Sequence, residues 1–242
     1  MRRLYAILLA IGVIYVLLSF LSVLPPYGKV DLSKRVSEAF VNKSVSTDNE
    51  KVVYGKSRNL EEGSANVVTS IVVNYRSFDT LGEVTVLFVS ALGVGLYMGG
   101  RKRKEYGRKA NFILRTSTGI LIPLIITFGV YIFVHGHLTP GGGFPGGTII
   151  AASVLLLYLS HEEFSASRDK TKVLEGSMGS LYVIVGLLGL VAGGFFLFNF
   201  LPTGTVGKLF SAGVVPIVYS VIGLKVGAEL SGVISDLHHR EG

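Results

Sequence analysis

The chain has 242 residues, 49% of them hydrophobic and 16% charged, with a formal net charge of +7 and a mean hydropathy of +0.55. That charged fraction is well below the roughly 25% of a soluble domain, and the apolar residues fall in blocks, so lipid is the main solvent. Cysteine is absent, which excludes disulfides, thiolate metal sites and cysteine-held iron–sulfur clusters from this chain; the basic residues also lack the interleaved aromatic platforms of a nucleic-acid binder.

Apolar blocks of the length needed to cross a bilayer as helices, about 20 residues, fall at 4–24, 80–98, 116–134, 144–159, 177–200 and 214–234. The first follows Arg2 and Arg3. Its apolar run is longer than a signal peptide's, and no small-x-small site precedes Pro25, so it is expected to be a retained anchor. The stretch 29–63 is polar and poor in aromatics, and is expected to be an external loop with little structure of its own. Residues 66–75 are apolar but reach only about half a membrane thickness as a helix, which suits an interfacial or re-entrant segment.

The second block opens with Asp79, Thr80 and Glu83. Thr80 and Glu83 have capping-box spacing and Asp79 is a second candidate cap, so these residues can simply start a helix. Glu83 is also a carboxylate one turn inside a membrane span, where an ionisable group needs a partner, a water path or a role in transport. Both readings stand. After this block come Arg101, Lys102, Arg103, Lys104, Arg108 and Lys109.

Between the third and fourth blocks runs a glycine-rich segment containing Pro140, Gly141, Gly142, Gly143, Phe144, Pro145, Gly146 and Gly147. Proline stops helix propagation, and glycine permits positive φ and close backbone approach. Pro140 is therefore expected to end the third span, Gly141 to Gly143 to reverse the chain, and Gly146 and Gly147 to let the fourth span pack closely. Carbonyls and amides exposed by such a turn could also line an ion path, but the structural role is preferred. His135 and His137 are two residues apart with no third ligand nearby, so no metal site is expected.

Arg168, Lys170 and Lys172 follow the fourth block. By the positive-inside rule the short basic segments lie in the cytoplasm, which puts both termini inside and the glycine turn outside. In the sixth block Lys225 sits about mid-span, too deep to reach an interface easily, with Glu229 one turn on. The pair is either an internal ion bridge or a site where a buried lysine exchanges a proton or repels a passing cation. Gly95 and Gly99, Gly189 and Gly193, and Gly223 and Gly227 have the four-residue spacing that brings helices together. Pro123 and Pro216 are expected to kink or start their helices.

The run from Asn74 to Leu87, with its Phe78-Asp79-Thr80 and the following Glu83, resembles the end of the large A subunit of Mrp-type multisubunit cation/proton antiporters. The Pro140-Gly141-Gly142-Gly143-Phe144 motif is similar to that of the MnhB (MrpB) subunit family. The first resemblance covers about 66–98 and the second about 111–234, in the order those antiporters use. Related modules occur in archaeal membrane-bound hydrogenases and sulfur reductases, and the fused arrangement looks more like the latter. The resemblance implies that a glutamate at Glu83 contributes to ion or proton transfer.

These readings together lead us to expect an all-α integral protein of the cell membrane with about six spans. An antiporter A-like part covers 1–105, and an MnhB-like four-helix part covers 106–242. The expected function is that of an accessory, non-catalytic subunit of a sodium/proton antiporter module coupled to a respiratory complex. Its partners would be other antiporter-type membrane subunits, lipid, Na+ and H+, with no cofactor and no nucleic acid. Glu83, Lys225 and Glu229 are the candidate translocation residues. The competing reading is a non-conducting scaffold.

Overall fold

The computed structural model describes residues 10–12, 14–16, 18–19, 53–61, 63–98, 110–161 and 164–238. The basic runs at 2–3 and 101–109, most of the 29–63 loop, Glu162, Glu163 and His239 lie outside the described residues. The described positions between 10 and 19 are helical, as the apolar block there requires.

From residue 53 onward the order is α1 (Val67–Ser70), continued by a π-helical turn Ile71–Tyr75, then α2 (Ser77–Met98), α3 (Phe112–Val134), α4 (Gly143–Ser160), α5 (Arg168–Gly193) and α6 (Val215–His238). Helices α2 to α6 are each long and apolar enough to cross a membrane. With the N-terminal block this makes an all-α integral membrane protein of about six spans. Among the described residues there is no strand, only an isolated bridge between Arg58 and Thr205.

Helix α6 is the most buried span, and α2, α3, α4 and α5 all pack on it. The hydrophobic core gathers around its first half, with Val218, Ile222 and Val226 meeting Tyr182, Phe196 and Leu197. Its start is held by Asn199, whose side-chain amide donates to the Ala212 carbonyl (3.1 Å) while its oxygen accepts from the Val214 amide (2.9 Å). Pro216 falls in the first turn, where its missing N–H costs no helical bond. In α3, Thr127 donates to the Pro123 carbonyl at 2.8 Å, within its own turn.

The fifth span differs from the apolar block. It begins at Arg168 and stops at Gly193, because Gly194 takes a left-handed φ of +82° that ends the helix. Phe195 to Phe200 then fold back along α5, where the Leu197 amide donates to the Gly186 carbonyl at 3.2 Å. Phe196, Leu197 and Phe198 of this return pack against the glycine-lined face of α5. A Cβ on Gly189 would stand 2.5 Å from the Phe198 amide nitrogen, so Gly189 and Gly193 receive a returning loop rather than a neighbouring helix.

The described end of the 29–63 loop also has more structure than its composition predicts. Gly55 and Asn59 donate backbone bonds to Val206 and Gly204, both at 2.9 Å. Segments 53–61, 63–66 and 195–214 and the glycine turn therefore form one non-helical layer over the same end of the helices.

Candidate ion-translocation site

Helix α6 carries two different faces. Gly223 and Gly227 meet α4, while Lys225, Glu229, Gly232 and Asp236, at i, i+4, i+7 and i+11, form a stripe on nearly the opposite side. Lys225 and Glu229 are buried, 5% and 1% exposed. The lysine Nζ donates to Glu229 Oε2 at 2.7 Å and lies 5.6 Å from the centre of the Phe88 ring on α2. Glu229 Oε1 is buried and has no hydrogen-bond partner. At the far end of the stripe Asp236 pairs with Arg168, the first residue of α5.

Helices α2 and α5 each pack on α6, and a cleft runs between them with the polar stripe as its floor. Beside Lys225 the cleft holds a cavity of about 230 Å³, walled by Leu81, Val84 and Phe88 of α2 and Gly179 and Tyr182 of α5. Toward the end of α6 it widens to about 450 Å³, where Glu175, Lys172, Glu229 and Asp236 face the space. Small residues make the room: a Cβ on Gly179 would meet Lys225 Cε at 3.3 Å, and one on Gly95 would meet Asp236 Oδ2 at 3.2 Å. Gly95 thus faces a carboxylate, not a helix backbone; Gly99 lies outside the described residues.

Glu83 is exposed on α2 and does not line either cavity. The expected cap at Asp79 and Thr80 is corrected by the helix start. Helix α2 begins at Ser77, so both residues are already inside its first turn. Asp79 pairs with Arg76, and its charge there complements the helix N-terminus. Thr80 is buried, and its hydroxyl donates to the Val72 carbonyl at 3.0 Å instead of accepting from an amide. The preceding π-turn, which exposes that carbonyl, is why the capping-box spacing is not used.

The glycine turn is built for contact. Helix α3 ends at Val134, before Pro140, and His135 to Leu138 form a further turn. Gly142 has φ +140°, a conformation that side chains disfavour. A Cβ on Gly143 would lie 2.6 Å from Ile222 Cγ2, on Gly146 2.7 Å from the Gly129 carbonyl oxygen, and on Gly147 2.6 Å from that of Gly223. A Cβ on Gly141 would meet the Ile132 carbonyl oxygen at 2.9 Å. Phe144 packs on the core.

Sequence reasoning missed what holds this turn. The Thr69 hydroxyl donates to the Gly136 carbonyl at 2.7 Å, and the Asn66 amide reaches the carbonyls of Gly136 (3.1 Å) and Thr139 (3.2 Å). The apolar 66–75 segment is therefore a short helix docked on the turn. His137 is fully buried, and its Nε2 bonds the Leu209 carbonyl at 3.0 Å. Burial holds its imidazole below the usual range, outweighing the bonds to Leu209 and Lys208 that favour the charged form. His135 instead stacks on Tyr131, with ring centres 4.3 Å apart.

With this geometry in view, comparison with known proteins is decisive. Residues 113–232 match the family model described as a domain related to the MnhB subunit of Na+/H+ antiporter, and residues 1–103 match the MbhE family model. A chain in the structure of the membrane-bound sulfane sulfur reductase, an archaeal respiratory membrane complex, is 39% identical, with 99% of each chain covered and a TM-score of 0.79. The chain belongs to the MnhB-related family of antiporter subunits. An uncharacterised protein of Methanocaldococcus jannaschii is 30% identical over 194 residues, covering 69% of this chain and 74% of that protein. The mnhB2 protein of Staphylococcus haemolyticus is 40% identical over 55 residues, 23% of this chain and 39% of that protein. A chain of the Mrp complex from Dietzia sp. DQ12-45-1b is 26% identical with a TM-score of 0.69; all of this MnhB-related chain corresponds to 26% of that longer one.

Proposed function

We propose that this chain is an accessory, non-catalytic membrane subunit of a multisubunit sodium/proton antiporter module within a respiratory complex of the sulfur-reductase kind. Its work there is to couple redox chemistry carried by partners to cation and proton movement. Two parts are joined in it, an antiporter A-like part over 1–105 and an MnhB-like part over 106–242. Both termini are cytoplasmic and the glycine turn is external.

The observation that carries the reading is the Lys225–Glu229 pair, buried mid-span at 2.7 Å on the floor of a cleft. Ionised groups at that depth are costly, about 2.5–3.5 kcal/mol each on insertion scales, and mark ion or proton routes. A lysine ammonium held by one carboxylate can release its proton, or raise the local potential against a cation, whenever the carboxylate is neutralised. Glu83, nearer the external end of α2, supplies a second carboxylate within the spans. The glycine turn supports the route by fixing α3, α4 and α6 without touching the ion.

The test is sodium and proton flux in vesicles carrying the assembled complex with Lys225→Ala or Glu83→Gln. Loss of antiport with normal assembly supports translocation. Normal flux with normal assembly leaves the non-conducting scaffold.

A further inference from the structure

The two ends of the cleft are built differently. At the end near the start of α2, Ser77 Oγ donates to the Phe196 carbonyl at 3.0 Å and the Tyr182 hydroxyl donates to the Ser77 carbonyl at 3.4 Å. The Phe196 ring stacks on Phe78 at 5.4 Å and meets Tyr182 edge-on at 6.1 Å. This aromatic plug ties α2 to α5. Toward the other end the space grows from about 230 to about 450 Å³.

Glu229 lies between these ends. One carboxylate oxygen takes the Lys225 ammonium, the other is buried without a donor, and Glu229 as a residue lines the larger cavity. A carboxylate oxygen in that state carries its full desolvation cost unless water reaches it. The cavity has the space and the polar lining that water needs, at roughly 30 Å³ of liquid per molecule.

We infer that the larger cavity is a hydrated inlet that delivers protons to Glu229 from the side of the membrane holding the end of α6, while the Phe196 plug closes the opposite side. The inference rests on the translocation reading of the pair and adds its sidedness and its proton acceptor. A proton carried by inlet water adds to Glu229 Oε1, leaving neutral water behind and an uncharged carboxyl. Lys225 keeps its own proton and loses its counter-charge; the reverse transfer returns the proton by the same route. The charged groups around Glu229 are its partner Lys225 and, lining the same cavity, Asp236 from α6 and Arg168, Lys172 and Glu175 from α5. Helix α2 offers Phe88, Ala91 and Leu92, which carry no charge.

Because the chain has no cysteine, single-cysteine variants report water access directly. A Cβ on Gly176 meets nothing within 4 Å, and one on Gly232 meets only Thr171 Cγ2 at 3.8 Å, so both sites accept a small side chain. In sealed vesicles carrying the assembled complex, Gly176→Cys and Gly232→Cys should react with a membrane-impermeant thiol reagent added on the side of the α6 C-terminus. Labelling should be lost when the reagent is on the other side. Protease clipping of a C-terminal tag fixes that side independently. Reaction only from the opposite side, or from neither side while the detergent-unfolded subunit labels fully, overturns the inlet. Ala91→Cys, on the facing wall, replaces either variant if assembly fails. Flux through Glu229→Gln separates the two claims. One-sided labelling with flux lost supports both, whereas one-sided labelling with flux intact sinks the translocation reading and leaves the inlet standing.

Discussion

The two faces of α6 teach opposite lessons about how a membrane helix is used. Toward α3 and α4 it presents Gly223 and Gly227, and the packing is so close that a Cβ on Gly223 would stand 2.5 Å from the Phe133 ring. Toward α2 and α5 it presents Lys225, Glu229 and Asp236, and the neighbours stand apart around a cleft. Lipid tails are as apolar as leucine, so helices associate through close packing and polar contacts rather than through hydrophobic burial. The glycine face uses close packing to hold the bundle rigid. That rigidity lets the other face hold an ion pair inside the bundle without the neighbouring helices collapsing onto it.

The contrast breaks most sharply if a side chain is added to each face. Gly147→Val places carbons against the backbone of Gly223 and Gly227, where no rotamer change relieves them. It should exceed the usual overpacking cost of about 1–3 kcal/mol and abolish the assembled subunit, read as its loss from the purified complex. Gly176→Ala, facing open space, should leave the yield unchanged. On the polar face, Glu229→Leu alone leaves Lys225 charged and unpaired, a loss of about 3–5 kcal/mol. Thermal stability of the complex should fall accordingly, and recover in Lys225→Met/Glu229→Leu.

Smaller effects belong to the layer over the glycine turn. Thr69→Val leaves the buried Gly136 carbonyl with the weaker Asn66 bond, and should cost about 0.5–1.5 kcal/mol, measured as faster hydrogen exchange in the turn. His137 gives a pH signature. Its folded-state affinity for protons is lowered, so the unfolded chain binds more protons as pH falls. Stability is therefore fullest above about 6.5, the ordinary histidine value, and is lost as pH falls below it. Melting scans from pH 7.5 to 5 should show that decline, and His137→Gln should flatten it.

How much of this is legible in the sequence depends on how local the cause is. Helix α2 ends at Met98 and α4 begins within a residue of its apolar block, because hydropathy along one segment decides both. Lys225 and Glu229 stand out for the same reason, as two charges one turn apart in an apolar run. The end of α5 is not legible, because Phe196, Leu197 and Phe198 are apolar for packing against Gly186, Gly189 and Gly193, and composition does not distinguish that from spanning. The pairing of Asn59 with Gly204 joins residues far apart in the chain and leaves no periodic trace. The cap expected at Thr80 does not form because the π-turn before it redirects the hydroxyl to Val72. The i, i+4, i+7, i+11 stripe on α6 is present in the sequence, but its use emerges only where α2 and α5 part above it.

The most direct test of the central claim is sodium/proton antiport by complexes carrying Lys225→Met/Glu229→Leu, which removes both charges at once and leaves neither unpaired. The account predicts that the complex assembles and antiport is lost. Antiport at the unmodified rate in a fully assembled complex would contradict it.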